Sequence, residues 1–369
     1  MIDVGRAEAQ YRAFVPNALP PVVEFSSELV LALSDADRAL GELAGLGRGI
    51  PEPQLLIRPF IRREAVLSSR IEGTLAGLED LYQFEAGARG STHPDVAEVA
   101  NYVRALEYGL ERVFTLPLSL RLVRELHQKL MEGVRGGQST PGEFRRSQNW
   151  IGRPGCTLNE ATYVPPPVPQ MQDALAAFET YLHSDDVLPP LIRIAAIHYQ
   201  FESIHPFLDG NGRVGRLIIS LLLAHWDLLE MPLLYLSAYF ERNRREYYDR
   251  LLAVSIKSEW QDWLLFFLRG VAEESRDASE RIKVLQDLQA GYRETVMRLR
   301  ASALPLRILD LLFAAPVITA RQAQNTLGVS YNGARLAIGK LVDAGILHGT
   351  SDETYGREFI ATGILHALE

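Results

Sequence analysis

One cysteine, Cys156, stands in a chain of 369 residues. A single thiol excludes an internal disulfide and every cysteine-rich metal site. No spacing of histidine with cysteine suggests zinc. No apolar run reaches the roughly 20 residues needed to cross a bilayer, the longest being broken by charges or prolines, so no membrane partner is expected. The opening residues lack the basic-then-apolar layout of a secretion signal, which makes the cytoplasm the expected compartment. Positive charge is not in excess either. With 38 basic and 46 acidic residues the net charge is −8, so there is no global preference for nucleic acid. No internal repeat is found. What remains is an ordinary globular composition, 47% hydrophobic and 23% charged, on a chain long enough for two or three domains.

Against that background one stretch stands apart, His205-Pro206-Phe207-Leu208-Asp209-Gly210-Asn211-Gly212-Arg213-Val214-Gly215-Arg216. It lies between two apolar runs spaced like buried helices, 191–201 and 217–224. Pro206 should end the first helix, because it disfavours helical geometry in the residue before it. Asp209 to Gly212 is dense in turn formers, and Asn211 is placed to cap the second helix. Free N–H groups at a helix start, with glycines that allow close approach, cradle phosphate. Arg213 and Arg216 are three apart and share one side of the new helix, where their forks suit phosphate oxygens. Asp209 can hold Mg²⁺ beside those phosphates. His205 is suited to proton abstraction. Together they describe transfer of a phosphate-containing group to a hydroxyl.

Position for position, this stretch resembles the Fic family signature: His-Pro-Phe, any residue, Asp or Glu, Gly-Asn-Gly-Arg, two free residues, Arg. The resemblance implies a mainly α fold, a Fic-type helical bundle with a small β-hairpin flap. It implies an enzyme that moves AMP from ATP to a hydroxyl of a target protein and releases pyrophosphate. Carried across, His205 is the general base and Phe207 anchors the loop. Asp209 coordinates the Mg²⁺ that bridges the α- and β-phosphates. Gly210, Asn211 and Gly212 form the phosphate nest, Arg213 meets the β-phosphate and Arg216 the γ-phosphate.

Upstream, residues 65–74 are spaced as a helix that ends near Gly73. Read alone, Glu72 is a solvated helix residue. Many Fic proteins, however, carry Ser or Thr, three free residues, Glu, then Gly or Asn on a helix before the catalytic domain. Ser68, Glu72 and Gly73 match that pattern. The resemblance therefore implies an inhibitory helix over about 66–73, with Glu72 paired to Arg216 in the γ-phosphate position. Like charges repel strongly at low dielectric, so ATP would then bind only in a pose unsuited to attack.

The organisation expected is an N-terminal helical region over 1–115, a Fic catalytic domain over 116–257, a helical linker over 258–302 and a C-terminal module over 303–369. The first region starts with an extended Pro-rich segment, Pro16 to Pro21. Helices should follow from Ser26 to Leu46, after Pro51 and Pro53, and from Thr92 to Phe114. Another runs from Leu118 to Met131, stopped by Gly133, Gly136 and Gly137. Periodicity disappears between Thr140 and Pro169. There Pro141 to Arg145 resembles the entry to the Fic flap, and the family reading gives Thr162, Tyr163 and Val164 the task of holding the target by strand addition. Without the family it is a plain surface loop. Helix resumes from Val168 to His183. Residues 233–248 resemble the segment that closes the nucleotide pocket. Tyr239 and Asn243, one turn apart, are expected to face it, though tyrosines there also suit core packing. His198 and the four tryptophans read as structural, and Trp260 to Leu299 as long helix.

Residues 303–369 pattern as three helices and two short strands, which resembles a winged helix-turn-helix domain. Tyr331, Asn332 and Arg335 suit a major groove. Residues 300–369 nevertheless carry six basic and six acidic residues, without the positive excess that engages phosphates. The leading function is an autoinhibited protein adenylyltransferase using ATP and Mg²⁺ on Ser, Thr or Tyr of target proteins, itself included. The alternatives are a nucleotide-sensing transcription regulator, and removal of AMP at the same site with Glu72 orienting water. A homodimer and DNA remain open as partners.

Overall fold

The computed structural model describes residues 1–4, 11–50, 53–87, 94–134, 140–299, 302–350 and 357–369. Pro51, Thr92, Gly136 and Gly137, invoked above as helix boundaries, lie outside the described residues. Two short strands open the chain, β1 (Ile2–Val4) and β2 (Tyr11–Ala13), paired antiparallel. Ser26 then caps α1 (Ser27–Arg48), its hydroxyl accepting from Leu29 N at 3.2 Å. Pro53 precedes α2 (Gln54–Ile71), where its missing N–H costs nothing. Glu72 forms the C-cap of α2, and Gly73 follows at φ 97°, a left-handed turn that favours glycine.

Next come α3 (Leu78–Glu85), α4 (Val96–Arg112) and α5 (Leu120–Leu130). An irregular segment leads to α6 (Val168–Leu182), then α7 (Pro190–Ile204) and α8 (Asn211–His225). The central region closes with α9 (Ser237–Arg242), α10 (Arg244–Lys257) and α11 (Trp260–Arg298). Of these, α3 was not anticipated. Its start is held by Asp80, whose carboxylate accepts from Gly77 N at 2.7 Å.

The core forms around α7 and α8, which are buried on nearly all sides and pack against each other. A helix apolar all round belongs in the middle of a bundle. α4 and α5 cover α8, α6 and α11 cover α7, and α2 lies across α4 and α9. Over the stretch expected as a helical linker, 258–302, runs α11. At 39 residues it spans roughly 58 Å. Its first half buries Trp263, Leu264, Phe267, Leu268 and Val271 in the common core and packs along α1. Trp263 also donates from Nε1 to Ala195 O at 3.0 Å, tying α11 to α7. Trp263→Ala should therefore destabilise by about 3–5 kcal/mol, read as a fall in thermal midpoint; a surface-like effect below about 0.5 kcal/mol would contradict this packing.

The C-terminal part runs α12 (Leu304–Ala314), β3 (Val317–Thr319), α13 (Ala320–Leu327), α14 (Tyr331–Asp343), β4 (His348–Gly349), β5 (Glu358–Ile360) and α15 (Thr362–Leu368). The strands form one antiparallel sheet ordered β3-β5-β4, so a third strand joins the two expected. Thr319 and Ser330 cap α13 and α14. This part does not stand apart: α12 packs on α2 and α11, and α15 returns to α11.

Candidate active site

The site is built where α7 stops and α8 starts. His205 closes α7 in a left-handed conformation, φ 49° and ψ 61°, a strained geometry for a residue with a Cβ. The surroundings hold it there. Its carbonyl accepts from Arg145 Nε at 3.0 Å and Asn149 Nδ2 at 3.4 Å, and Arg145 N donates to Pro206 O at 2.9 Å. Arg145 is itself 2% exposed and also donates to the carbonyls of Ser147 and Pro166. It pegs the irregular segment to the motif. His205 Nδ1 faces Glu202 O at 3.3 Å, which fixes the proton on Nδ1 and leaves the Nε2 lone pair free. Burial pushes the imidazole down to about 4, so it is neutral at physiological pH.

Phe207 is fully buried beneath the loop. It stacks on His127 at 3.7 Å between ring centroids and 5° between planes, and tilts against Phe144. His127 in turn accepts from Gly142 N at Nδ1 and donates from Nε2 to Asp209 O at 3.1 Å. Asn211 does not cap α8 as expected. Its side chain accepts from Phe207 N at 2.8 Å and donates to Phe207 O at 2.9 Å, stapling the turn shut. The N-cap is Gly210, at φ 78°, where a side chain would be strained. With no side-chain cap, the first N–H groups of α8 stay available to an anion. Removing the staple in Asn211→Ala leaves Phe207 N unpaired, while Phe207 O keeps Asn149 Nδ2 at 2.8 Å, so we expect a loss of about 1–3 kcal/mol in thermal unfolding; an unchanged midpoint would contradict the staple.

The two arginines stand as the spacing requires. Arg213, 4% exposed, lies 3.3 Å from Glu98 and 3.6 Å from Asp209. Arg216 donates from Nε to Ser68 Oγ at 2.8 Å and from Nη2 to Ser68 O at 2.9 Å. The same Nη2 meets Glu72 Oε1 at 2.7 Å. Residues 148 and 144 positions apart in sequence are thus brought into one contact. Burial alone would raise the Glu72 carboxyl, but Arg216 outweighs it and holds the pKa below the ordinary range. Arg216 is correspondingly pushed up, chiefly by Glu72 against the opposing effect of burial. A Cβ at Gly212 would run into Glu72 Oε1 and come within 3.0 Å of Arg216 Nη1. Only glycine leaves room there.

This arrangement fits a nucleotide and a metal. Arg213 Nε and Arg216 Nη1 are buried donors without a partner among the described residues. The Asp209 side chain is half exposed, with one oxygen accepting from Gly210 N at 2.6 Å. Among the described residues no cluster of three or more His, Cys, Asp or Glu could hold a metal by itself. A single carboxylate sharing a cation with phosphates is the usual way of binding Mg²⁺.

One expected placement, that of Tyr239, is corrected. Tyr239 is 6% exposed and lies against Phe266 and Gly270 of α11, as core packing. Asn243 breaks the helix between α9 and α10 and turns its amide back to Tyr239 O at 3.0 Å. Tyr248, 42% exposed, is near enough to Glu72 and Arg216 for their charges to act on its hydroxyl. At Thr162, Tyr163 and Val164 part of the backbone is already engaged within the chain. Thr162 N and Tyr163 N both donate to Ile151 O, Tyr163 O accepts from Ile151 N, and Val164 O accepts from Phe14 N at 2.9 Å. Phe14 thus occupies the Val164 end of that backbone edge, and Tyr163 Oη is turned inward to Ser203 O. The other edge, at Trp150 and Gly152, makes no backbone hydrogen bond among the described residues.

His127, Arg145, Asn149, Glu202 and Tyr248 were not legible as site residues. Arg145 and Asn149 lie in aperiodic sequence, and His127 looks like any helix residue. His198 is a core histidine, donating to Gly215 O and accepting from Tyr247 Oη at 2.8 Å.

Comparison with known proteins agrees with this geometry. The family model described as Fic/DOC family N-terminal matches residues 30–111, and the Fic/DOC family model matches residues 117–223. The chain belongs to the Fic/DOC family. It is similar to "Protein adenylyltransferase Fic" of Drosophila erecta, 30% identical over 159 residues, and of Drosophila grimshawi at 31%. That match covers 42% of this chain and only 30% and 31% of those relatives. In fold, a Fic family protein from Desulfovibrio desulfuricans aligns over 94% of this chain and 99% of its own, with a TM-score of 0.60 and 19% identity. A Fic-1 fragment from C. elegans aligns over 69% of this chain and 74% of its own, with a TM-score of 0.52 and 18% identity.

Proposed function

We propose that this chain transfers AMP from ATP to a hydroxyl side chain of a protein target, and that Glu72 holds the reaction back. The observation that carries the reading is the Arg216 guanidinium. It is buried at a helix start, beside a glycine cradle, with one amino group engaged by Glu72 and the other unpartnered. A buried cation so placed is a receptor for an anion, and Glu72 is the anion that occupies it until a phosphate does. The adenylyltransferase names of the Drosophila relatives support AMP as the group moved.

In this reading His205 Nε2 takes the proton from the target hydroxyl as its oxygen bonds to the α-phosphorus. The α–β phosphoanhydride bond breaks, and pyrophosphate carries away the electron pair. Asp209 would hold Mg²⁺, which supplies neutralisation of phosphate charge. Arg213 and Arg216 hold the outer phosphates and the α8 N–H groups receive the phosphate between them. The target adds its backbone at the uncovered Trp150–Gly152 edge, which presents a hydroxyl while demanding little target sequence. We also read residues 303–369 as a winged-helix module, whose α12 braces the helix that carries Glu72.

ATP labelled at the α-phosphate should leave label on protein, whereas ATP labelled at the γ-phosphate should leave none. Retention of the γ label would instead make this a phosphotransferase and overturn the proposal.

A further inference from the structure

Glu202 is a second carboxyl at the site, half-buried and one turn before His205. Its Oε1 is shielded from solvent and has no hydrogen-bond partner among the described residues. An orphaned buried oxygen is costly unless something meets it in a working state. Its position is set by α8: a Cβ at Gly215 would run into Oε1, just as a Cβ at Gly212 would run into Glu72 Oε1. Gly212 and Gly215 are three residues apart on one helix face, about 5–6 Å between their Cβ positions. Two carboxyls therefore lie side by side over two glycines. Beside Gly212 lies Arg216, whose Nη1 has no partner among the described residues. No ion pair within 4.0 Å joins Glu202 to Arg216. An unpaired donor and an unpaired carboxyl oxygen over the same face of α8 offer the chemistry that meets a phosphate group.

We infer that Glu202 is a further γ-phosphate contact, its protonated carboxyl donating a hydrogen bond to the same terminal phosphate that Arg216 receives. This rests on the nucleotide reading above and extends it. The charged and titratable groups that face Glu202 are Arg216 of α8, Glu72 at the end of α2, His198 of α7, Tyr247 and Tyr248 of α10, and Tyr163 of the flap. Burial, with Glu72 adding to it and Arg216 opposing it, raises the Glu202 carboxyl to about 8. The acid is neutral below that pH and can donate. Above it the carboxylate repels phosphate and competes for Arg216. Triphosphate binding should thus weaken as pH rises through about 8, while binding of a ligand without the outer phosphates should not.

The test compares Glu72→Gly with Glu72→Gly/Glu202→Gln by titration calorimetry, using α,β-methylene ATP, which cannot be turned over, and AMP. In Glu72→Gly, where one of the causes that raise the Glu202 carboxyl is gone and its titration moves down from about 8, affinity for the triphosphate should fall by at least about tenfold between pH 6 and 9. In the double variant the fall should be less than about twofold, because glutamine keeps a donor and cannot ionise. AMP should vary less than about twofold in both. Glu64, buried and raised to about 7 mainly by burial, titrates in the same window but is common to both proteins. Parallel pH profiles in the two proteins, or an equal fall for AMP, would overturn the role of Glu202 and leave the function standing. Absence of triphosphate binding to either protein at every pH would overturn both.

Discussion

Glu72→Gly should raise AMP transfer on the order of a hundredfold over the unaltered chain. The Glu72 carboxylate and a γ-phosphate need the same guanidinium and the same space above Gly212. Forcing two like charges together at a shielded site costs several kcal/mol, and about 2.7 kcal/mol is a hundredfold in rate. Removing the carboxylate relieves that repulsion and leaves Arg216 held by Ser68 Oγ and O. The fold should survive, because Glu72 is a C-cap with only its side chain in the site and glycine is welcome at a helix end. The initial rate of label transfer from α-labelled ATP into protein measures the effect. An unchanged rate, with ATP still bound, would show that Glu72 does not restrain the enzyme.

His205→Ala, made in the Glu72→Gly protein, should lower that released rate by on the order of 10²–10⁴, the usual contribution of a positioned general base. Apart from Nδ1 against Glu202 O, the strained turn is held by groups other than the His205 side chain, Arg145 and Asn149 on its carbonyl and Asn211 across Phe207, so alanine leaves the loop in place. Nucleotide affinity should accordingly change less than about threefold. A pH profile adds a check that a structural role would not pass. Because burial lowers the imidazole to about 4, the base stays neutral as pH falls and loses function only on approach to that value. The Glu72→Gly rate at pH 5.5 should thus remain close to the rate at pH 7, where an ordinary histidine of pKa about 6.5 would retain roughly a tenth. A steep loss between pH 7 and 6 would contradict a buried, neutral base.

How far the sequence carried this picture depended on distance along the chain. The phosphate-facing loop was legible because its chemistry sits in one unbroken stretch, His205 to Arg216, and each residue type has a reason to be there. The contact of Arg216 with Ser68 and Glu72 closes a separation of 148 and 144 residues. No periodicity reports such a contact, and only the family resemblance pointed to it. Asn211 was misjudged because a cap and a staple use the same residue. The left-handed backbone at Gly210 decides between them, by turning the Asn211 amide back to Phe207. Tyr239 was misplaced because its phase was carried through Asn243 as if one helix continued. The break there, φ −109° and ψ 32°, resets the phase and brings Tyr248 to the site. The apolar run Trp263 to Leu268 could have revealed α11 as core, and its charged second half masked that signal. The bond from Phe14 to Val164 was not legible, since pairing with a segment about 150 residues away leaves no trace in local sequence.

The claim on which everything turns is that Glu72 and a terminal phosphate compete for Arg216. Calorimetric affinities of α,β-methylene ATP and of AMP, taken at pH 7 for the unaltered chain and for Glu72→Gly, address it without any need for a target. The account predicts that the substitution tightens the triphosphate analogue by at least about tenfold and changes AMP by less than about twofold. Equal changes for both ligands, or no change for either, would contradict it.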